Sequence, residues 1–365
     1  DGNAYITGYT EGDSVDYPTT TGAFDTSHNG GYDAFVTKLN STGSSLLYST
    51  FLGGSSNDIG FDIILDSECN AYVVGYTFNG SVSYPTTSGA FETSHQGLND
   101  TFVTKLDPTG SFLVYSTLIG GSYDDRGKAI DLDLSGNAYI TGYTCNFSNN
   151  ENDYPTTTGA YDTSFNGVCD VFVTKLNSSG SSICYSTFLG GPNLDYGKCI
   201  RVDLRGDIYV GGSTTGGYCP ITSGAFDVHS NGTNDIYVTK LKSDFSSILY
   251  STYVGGSDLE CVNGLAIDLK GDVYITGETS STDYPTTPGS NPPSNNGGKM
   301  DVFITKLNSE GSSLCYSTVL GGAEDDTAFD IYIDDNGDTY VTVRTSSSDF
   351  PITLGLYSKY HKRSQ

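Results

Sequence analysis

Short apolar, β-branched runs alternate along this chain with clusters of Gly, Asn, Asp, Ser and Pro, a pattern that predicts strands joined by turns. Four such runs open the chain: "AYITGYT" (4–10), "AFVTKLN" (34–40), "SLLYSTFLG" (45–53) and "FDIILD" (61–66). No segment carries a helical period. In "AFVTKL" one face bears Phe35, Thr37 and Leu39 and the other Ala34, Val36 and Lys38, so neither face is cleanly polar. Such strands suit sheets covered on both sides.

The pattern repeats. The tyrosine of "GNAYITG" (Tyr5) returns at Tyr72, Tyr139, Tyr209, Tyr274 and Tyr340, at spacings of 67, 67, 70, 65 and 66 residues. Four-stranded units repeated with both faces covered describe an all-β protein, a β-propeller of four-stranded antiparallel blades, with about 67 residues per repeat, five full repeats and a partial sixth. The predicted domain spans 1–345, with repeats near 1–68, 69–135, 136–205, 206–270 and 271–336, a partial repeat 337–351, and a basic tail 352–365. A β-solenoid is the rival, but its coils are usually far shorter.

"GNAYITGYT", "DYPTTTGAF", "DAFVTKL" and "YSTFLGG", in that order, resemble the landmarks of the SBBP family of β-propeller repeats. The resemblance covers nearly the whole chain and implies a propeller in an exported or cell-surface setting; it implies no particular activity. The stretch "AIDLDLSGNAYITG" (129–142) is also similar to NHL-type propeller repeats, where the "AIDLD" portion is the innermost strand. In that phase each blade runs "AIDLD", "AYITG", "AFVTKL", "YSTFLGG", and blades meet in the Gly-Gly loops. Closure is open at this level: "FDIYID" (329–334) either completes a blade with the N-terminal strands, leaving "TYVTV" (339–343) surplus, or begins a partial sixth blade, or further chain belongs to the ring. The last copy has Val343 where the others have Gly8, Gly75, Gly142, Gly212 and Gly277. Asp1 falls inside a repeat, the start expected of a processed or partial product.

Charge narrows the partners. Lys and Arg number 17 against 43 Asp and Glu, a formal net charge of −26, which repels nucleic acid and anionic lipid and leaves cations or cationic surfaces as charged partners. No apolar run is long enough to span a bilayer. Six Asn-x-Ser/Thr sequons, at Asn40, Asn79, Asn99, Asn146, Asn177 and Asn231, are glycosylation candidates in a number that chance alone produces at this composition.

Eight cysteines are too few for a disulfide scaffold, but their places suggest pairs: Cys184 with Cys199 across a Gly-Gly loop, Cys145 with Cys169 around the "NFSNNEN" insertion, Cys219 with Cys261, and by elimination Cys69 with Cys315. Buried free thiols are the competing reading. Pairing implies an oxidising compartment.

No G-x-S-x-G, H-E-x-x-H or phosphate-loop motif is present. His28 and His95 share a loop position that holds Phe165 in the third unit, which speaks against acid–base work. Asp33, Asp100, Asp170, Asp235 and Asp301 recur before the third strand of a blade, with Lys38, Lys105, Lys175, Lys240 and Lys306 five residues on; fivefold repetition marks these as scaffold in turns or ion pairs. The Gly-Gly loops carry Asp58, Asp125, Asp195, Glu260 and Asp326, which either emerge together as an acidic face that binds a cation such as calcium or serve as one structural carboxylate per turn. Lys359, Lys362 and Arg363 in the tail are candidates for docking on that face of another subunit. The expected function is a non-enzymatic extracellular or cell-surface module for structure, adhesion or self-assembly that binds protein, glycan or cation through blade-face loops. The alternative is a carboxylate-dependent carbohydrate-active enzyme, which needs two carboxylates about 5 to 10 Å apart in a cleft.

Overall fold

The computed structural model describes residues 2–12, 17–80, 83–148, 152–290 and 297–352. Among them there are only strands and turns, no helix. The chain divides into two compact units, residues 1–189 with 244–246, and residues 190–243 with 247–365.

In the first unit β1 (Ala4–Glu11), β2 (Tyr32–Leu39) and β3 (Leu46–Leu52) form a three-stranded antiparallel sheet. Two four-stranded antiparallel meanders follow: β4 (Asp58–Leu65), β5 (Ala71–Phe78), β6 (Asn99–Leu106), β7 (Leu113–Ile119), then β8 (Asp124–Leu132), β9 (Ala138–Cys145), β10 (Cys169–Leu176), β11 (Ile183–Leu189). A single parallel pair, Asn99 with Asp124, links them. The second unit repeats the meander in β12 (Asp195–Val202), β13 (Ile208–Thr214), β14 (Asp235–Leu241), β15 (Ile248–Val254), and in β16 (Glu260–Ile267), β17 (Val273–Thr279), β18 (Asp301–Leu307), β19 (Leu314–Leu320). It ends in a two-stranded sheet, β20 (Asp326–Ile333) with β21 (Thr339–Thr345). Among the described residues β20 pairs with β21 and β1 with β2, so "FDIYID" does not complete the N-terminal sheet.

The core of each unit lies between the faces of successive sheets. Val36 and Leu52 of the first sheet pack with Val73, Phe102 and Leu118 of the second, and Tyr72 and Val103 of the second with Ile140 and Phe172 of the third. The recurrent glycine of "YITG" is explained by its cross-strand neighbour. Gly75 faces Phe102 and Gly142 faces Phe172; a Cβ on either would stand 2.6 or 2.8 Å from the ring and about 2 Å from a carbonyl oxygen of the preceding strand. Val343 breaks the rule where, among the described residues, β21 has no third strand, and so no Phe, beside it.

The long loop between the second and third strands of a sheet is fastened by hydroxyls. Tyr84 Oη meets Thr104 Oγ1 at 2.9 Å, Thr104 meets Ser116 Oγ at 2.8 Å, and Ser116 donates to the carbonyl of Pro85 at 2.7 Å. Tyr284, Thr305, Ser317 and Pro285 repeat the circuit. Each of these tyrosine rings also stacks on the strand phenylalanine, Tyr84 on Phe102 and Tyr284 on Phe303. Cys219 stands at the tyrosine's place in the fourth copy. There the strand residue is Tyr237 instead of Phe, and Tyr253 Oη donates to the Cys219 carbonyl at 3.3 Å.

Candidate functional site

Each sheet has two ends with different chemistry. At the Gly-Gly end the innermost strand opens with a carboxylate that folds back onto its own loop. The amides of Gly54, Gly121, Gly191, Gly256 and Gly322 donate to Asp58, Asp125, Asp195, Glu260 and Asp326 at 2.7, 2.7, 2.7, 3.2 and 2.8 Å. All five are buried, at no more than 1% exposure. The expectation of a solvent-facing acidic surface built from these residues is therefore corrected. Bonding to a loop amide turns the carboxylate inward, and the loop backbone covers it. Burial pushes Asp58 and Asp125 up to about 7 and raises Asp195 and Glu260 as well.

The Asp33 series lies at the same end, equally buried. Asp33 Oδ2 accepts the Asn29 amide at 2.7 Å and Asp100 Oδ2 the Gln96 amide at 2.8 Å. His28 and His95 serve the scaffold here: their Nε2 atoms bond the carbonyls of Thr10 and Thr77 at 3.1 and 3.0 Å, and their Nδ1 atoms lie 4.0 and 3.8 Å from Asp33 and Asp100. Sequence reasoning did not couple the Asp33 and Asp58 series. The available signal was their constant spacing of 25 residues in every copy.

At the opposite end a turn joins the first two strands, and the recurrent lysines are held there. Lys105 meets Asp66 at 3.0 Å, Lys175 meets Asp133 at 3.1 Å, and Lys306 meets Asp268 and Asp272 at 3.1 and 2.9 Å. Their Nζ atoms also sit over the rings of Tyr72, Tyr139 and Tyr274, 4.7 to 4.8 Å from the centroids. These lysines thus pair with turn aspartates and not with the Asp33 series five residues earlier. Although burial works upward, hydrogen bonds from Asn70 and Lys105 hold the Asp66 carboxyl below the usual carboxylate range, and Lys306 helps do the same for Asp268.

Clefts open between successive turns. In the second unit a cavity of about 690 Å³ is lined by Asp203, Tyr209, Lys240 and Asp268, with Leu204 and Leu269 at its lip. In the first unit a cavity of about 440 Å³ repeats the arrangement with Asp66, Tyr72, Lys105 and Asp133, and Leu134 at the lip. The three leucines occupy the same turn position and are 90, 77 and 92% exposed for Leu134, Leu204 and Leu269. Their exposure was not legible in the sequence, where the recurrent Asp-Leu-x-Gly turn reads as scaffold.

Cys145 and Cys169, directly paired across β9 and β10, form the expected disulfide. The other three expected pairs are not formed: Cys69, Cys184 and Cys315 are exposed thiols, and Cys261 is a half-buried thiol whose Sγ lies 3.9 Å from Asn263 Oδ1. Of the sequons, Asn79 and Asn231 are exposed and Asn40 and Asn177 partly so. Asn99 and Asn146 are buried, with Asn99 donating to Asp124 and Asn146 accepting the Ser148 amide, so neither offers its amide to a glycan. Lys359, Lys362 and Arg363 lie outside the described residues. No group of three or more metal-ligating side chains occurs among the described residues.

The family model for the SBBP β-propeller repeat matches residues 114–146 and 249–285, each running from a fourth strand through the Gly-Gly loop and the next two strands, the second match continuing into the loop after β17. These are SBBP repeats. Among solved structures, the SBBP-repeat chain is similar to hydrazine synthase of Kuenenia stuttgartiensis, at 9% identity and a TM-score of 0.47 over 90% of this chain and 76% of that one. It is similar to BamB of Moraxella catarrhalis at 11% identity and 0.36, over 87% and 83%, and to the NanB sialidase of Streptococcus pneumoniae at 11% and 0.46, over 93% and 63%. Likeness at this level carries no argument about activity. No curated protein matches the chain in sequence. No described helix is long and apolar enough to cross a membrane.

Proposed function

We propose that this SBBP-repeat chain is a non-enzymatic β-propeller module of the extracellular space or cell surface that works by binding and assembly, with its ligand, a protein or a glycan, taken up at the turn end of the sheets. The observation that carries the reading is the cleft flanked by Leu204 and Leu269 and repeated beside Leu134. Large apolar side chains stand in water at the rim of a concave, charge-lined floor, the layout of a binding surface. The groups capable of chemistry support it from the other side, because they recur copy after copy and are engaged internally. The floor aspartates are tied to lysines, and the paired carboxylates of the Gly-Gly end are buried away from any substrate, whereas glycoside hydrolysis needs two carboxylates facing the sugar. The Cys145–Cys169 bond agrees with an oxidising compartment.

A glycan array and a panel of chromogenic glycosides, run on the same purified protein, test the reading. Binding without turnover, weakened by Leu204→Ser with Leu269→Ser, is expected. Turnover abolished by a cleft or loop carboxylate substitution would replace it with the enzymatic alternative.

A further inference from the structure

The Gly-Gly end holds carboxylates in facing pairs. Asp235 and Glu260 are both buried, and a Cβ built on Gly255 would stand 2.6 Å from Asp235 Oδ1 and 2.8 Å from Glu260 Oε2, so the two oxygens converge on one spot. Asp33 Oδ1 and Asp58 Oδ2 converge on Gly53 in the same way, at 2.8 and 3.0 Å, and Asp100 Oδ1 and Asp125 Oδ2 on Gly120, both at 2.9 Å. The Oδ1 atoms of Asp33 and Asp235 are wholly buried and accept no hydrogen bond.

Elsewhere these carboxylates are surrounded by donors. Glu260 Oε1 accepts from Thr279 Oγ1 at 2.7 Å and Oε2 from the Gly256 amide; Asp58 Oδ2 accepts the Gly54 amide, and Asp235 Oδ2 the Gly232 amide at 3.2 Å. Donors aimed at a carboxylate favour its ionised form. Yet among the described residues no lysine or arginine forms an ion pair with any of these six carboxylates; the lysines are at the far end of the sheet. Only the imidazoles of His28 and His95 approach, at 4.0 and 3.8 Å from Asp33 and Asp100, and nothing of the kind reaches Asp235 and Glu260 among the described residues; two adjacent buried carboxylates without a permanent counter-charge are costly to ionise, and a cation between them removes that cost. Main-chain oxygen is at hand: a Cβ on Gly30 would stand 3.0 Å from both Asp33 Oδ1 and the Gly54 carbonyl.

We propose that the pairs Asp33–Asp58, Asp100–Asp125 and Asp235–Glu260 each bind a divalent cation of the calcium type, held by the two carboxylates together with loop carbonyls and water. All-oxygen ligation with flexible geometry fits calcium better than zinc or magnesium. Two side-chain ligands per site, drawn from loops 25 residues apart, escape any motif built on three or more. The sites lie at the other end of the sheets from the clefts, so the inference goes beyond the binding reading and does not depend on it.

The test is calorimetric titration of chelator-treated full chain with calcium chloride, alongside thermal unfolding in calcium, in magnesium and in chelator. Saturable calcium binding at several sites per chain and a Tm raised by several degrees in calcium are expected, with one site fewer in Asp235→Asn. That variant, and Asp33→Asn independently, also separates the outcomes by sign. With a cation in place the substitution loses a ligand and lowers Tm in calcium; with no cation it relieves repulsion between buried anions and raises Tm equally in calcium and chelator. No heat of binding, with that equal rise, overturns the proposal and leaves the glycan-array result untouched.

Discussion

The hairpin β16–β17 and the hairpin β20–β21 share one plan, an Asp-x-x-Gly-Asp-x-Tyr turn between bulged strands, and they differ in what stands beside them. Both turns are built the same way: Asp268 accepts the amides of Lys270 and Asp272 at 2.9 and 3.0 Å, and Asp334 those of Asn336 and Asp338 at 3.0 and 2.9 Å. Both first strands carry the same bulge, between Val262 and Gly264 and between Ala328 and Asp330. Yet Tyr274 is 8% exposed and Tyr340 is 57% exposed. Tyr274 lies under Lys306, a residue of the third strand, and against Ile331 of the next sheet; β21 has neither a third strand nor a following sheet among the described residues. Local sequence thus sets the hairpin, while the core is a property of neighbours. A large side chain moved fully out of water contributes roughly 1.5–3 kcal/mol, so the last hairpin forgoes much of what stabilises its twin.

The comparison is broken most forcefully by truncating the tyrosines. Tyr274→Ala should cost about 3–5 kcal/mol by denaturant unfolding, as for other large core aromatics, and Tyr340→Ala less than about 1 kcal/mol. Equal effects would mean that β21 is covered by something in solution. Exchanging the glycine rule comes next. Gly277→Val places a side chain 1.9 Å from the Cys261 carbonyl and 3.0 Å from the Phe303 ring and should cost about 3 kcal/mol, whereas Val343→Gly should change unfolding by less than about 1 kcal/mol. A smaller effect is expected of Tyr284→Phe, which breaks the hydroxyl circuit at Thr305 and should cost about 1 kcal/mol.

Carboxylates sharpen the comparison through pH. Asp58 and Asp125 are raised to about 7 by burial, so in chelator the folded chain binds more protons than the unfolded chain between the ordinary aspartate value and 7. Their contribution is present at low pH and is lost as pH rises through about 7. The lysine-held Asp66, Asp133 and Asp268 are lowered, and act in the opposite sense: their contribution is present above the ordinary aspartate value and lost as pH falls. Melting in chelator should therefore fall from mildly acidic pH to pH 8, and calcium should flatten that slope. A Tm that rises steadily over the same range in chelator would contradict the assigned burial of Asp58 and Asp125.

Much of the fold was legible in the sequence because it is written several times. The strand runs, their order within a sheet and the Gly-Gly boundaries follow from aligned copies, and the Cys145–Cys169 pair from its place at the two ends of one long loop. What lies between strands was less legible. The Asp58 series reads as surface because acidic residues in Gly-rich loops usually face water, and only the hydrogen bond from the amide four residues earlier in the same loop shows that it turns inward. The scaffold role of the recurrent lysines was legible but their partners were not, because a strand separates Asp33 from Lys38 end to end and brings Lys105 to the turn of Asp66. Leu134, Leu204 and Leu269 do recur, and recurrence alone reads as scaffold and not as exposed surface.

The hydroxyl circuit that runs from Tyr84 through Thr104 and Ser116 to Pro85 begins and ends inside one copy of the repeat, as does the one from Tyr284 to Pro285. A copy therefore brings its own fastenings when it is duplicated and takes them away when it is deleted. Whole repeats gained or lost keep these fastenings intact, while the amides of Phe24 and Phe226, which donate to the carbonyls of Gly110 and Gly311 in the next copy, still call for a neighbour. The fourth copy, with Cys219, Tyr237 and Tyr253 altered together, is the mark of a unit free to drift as a set.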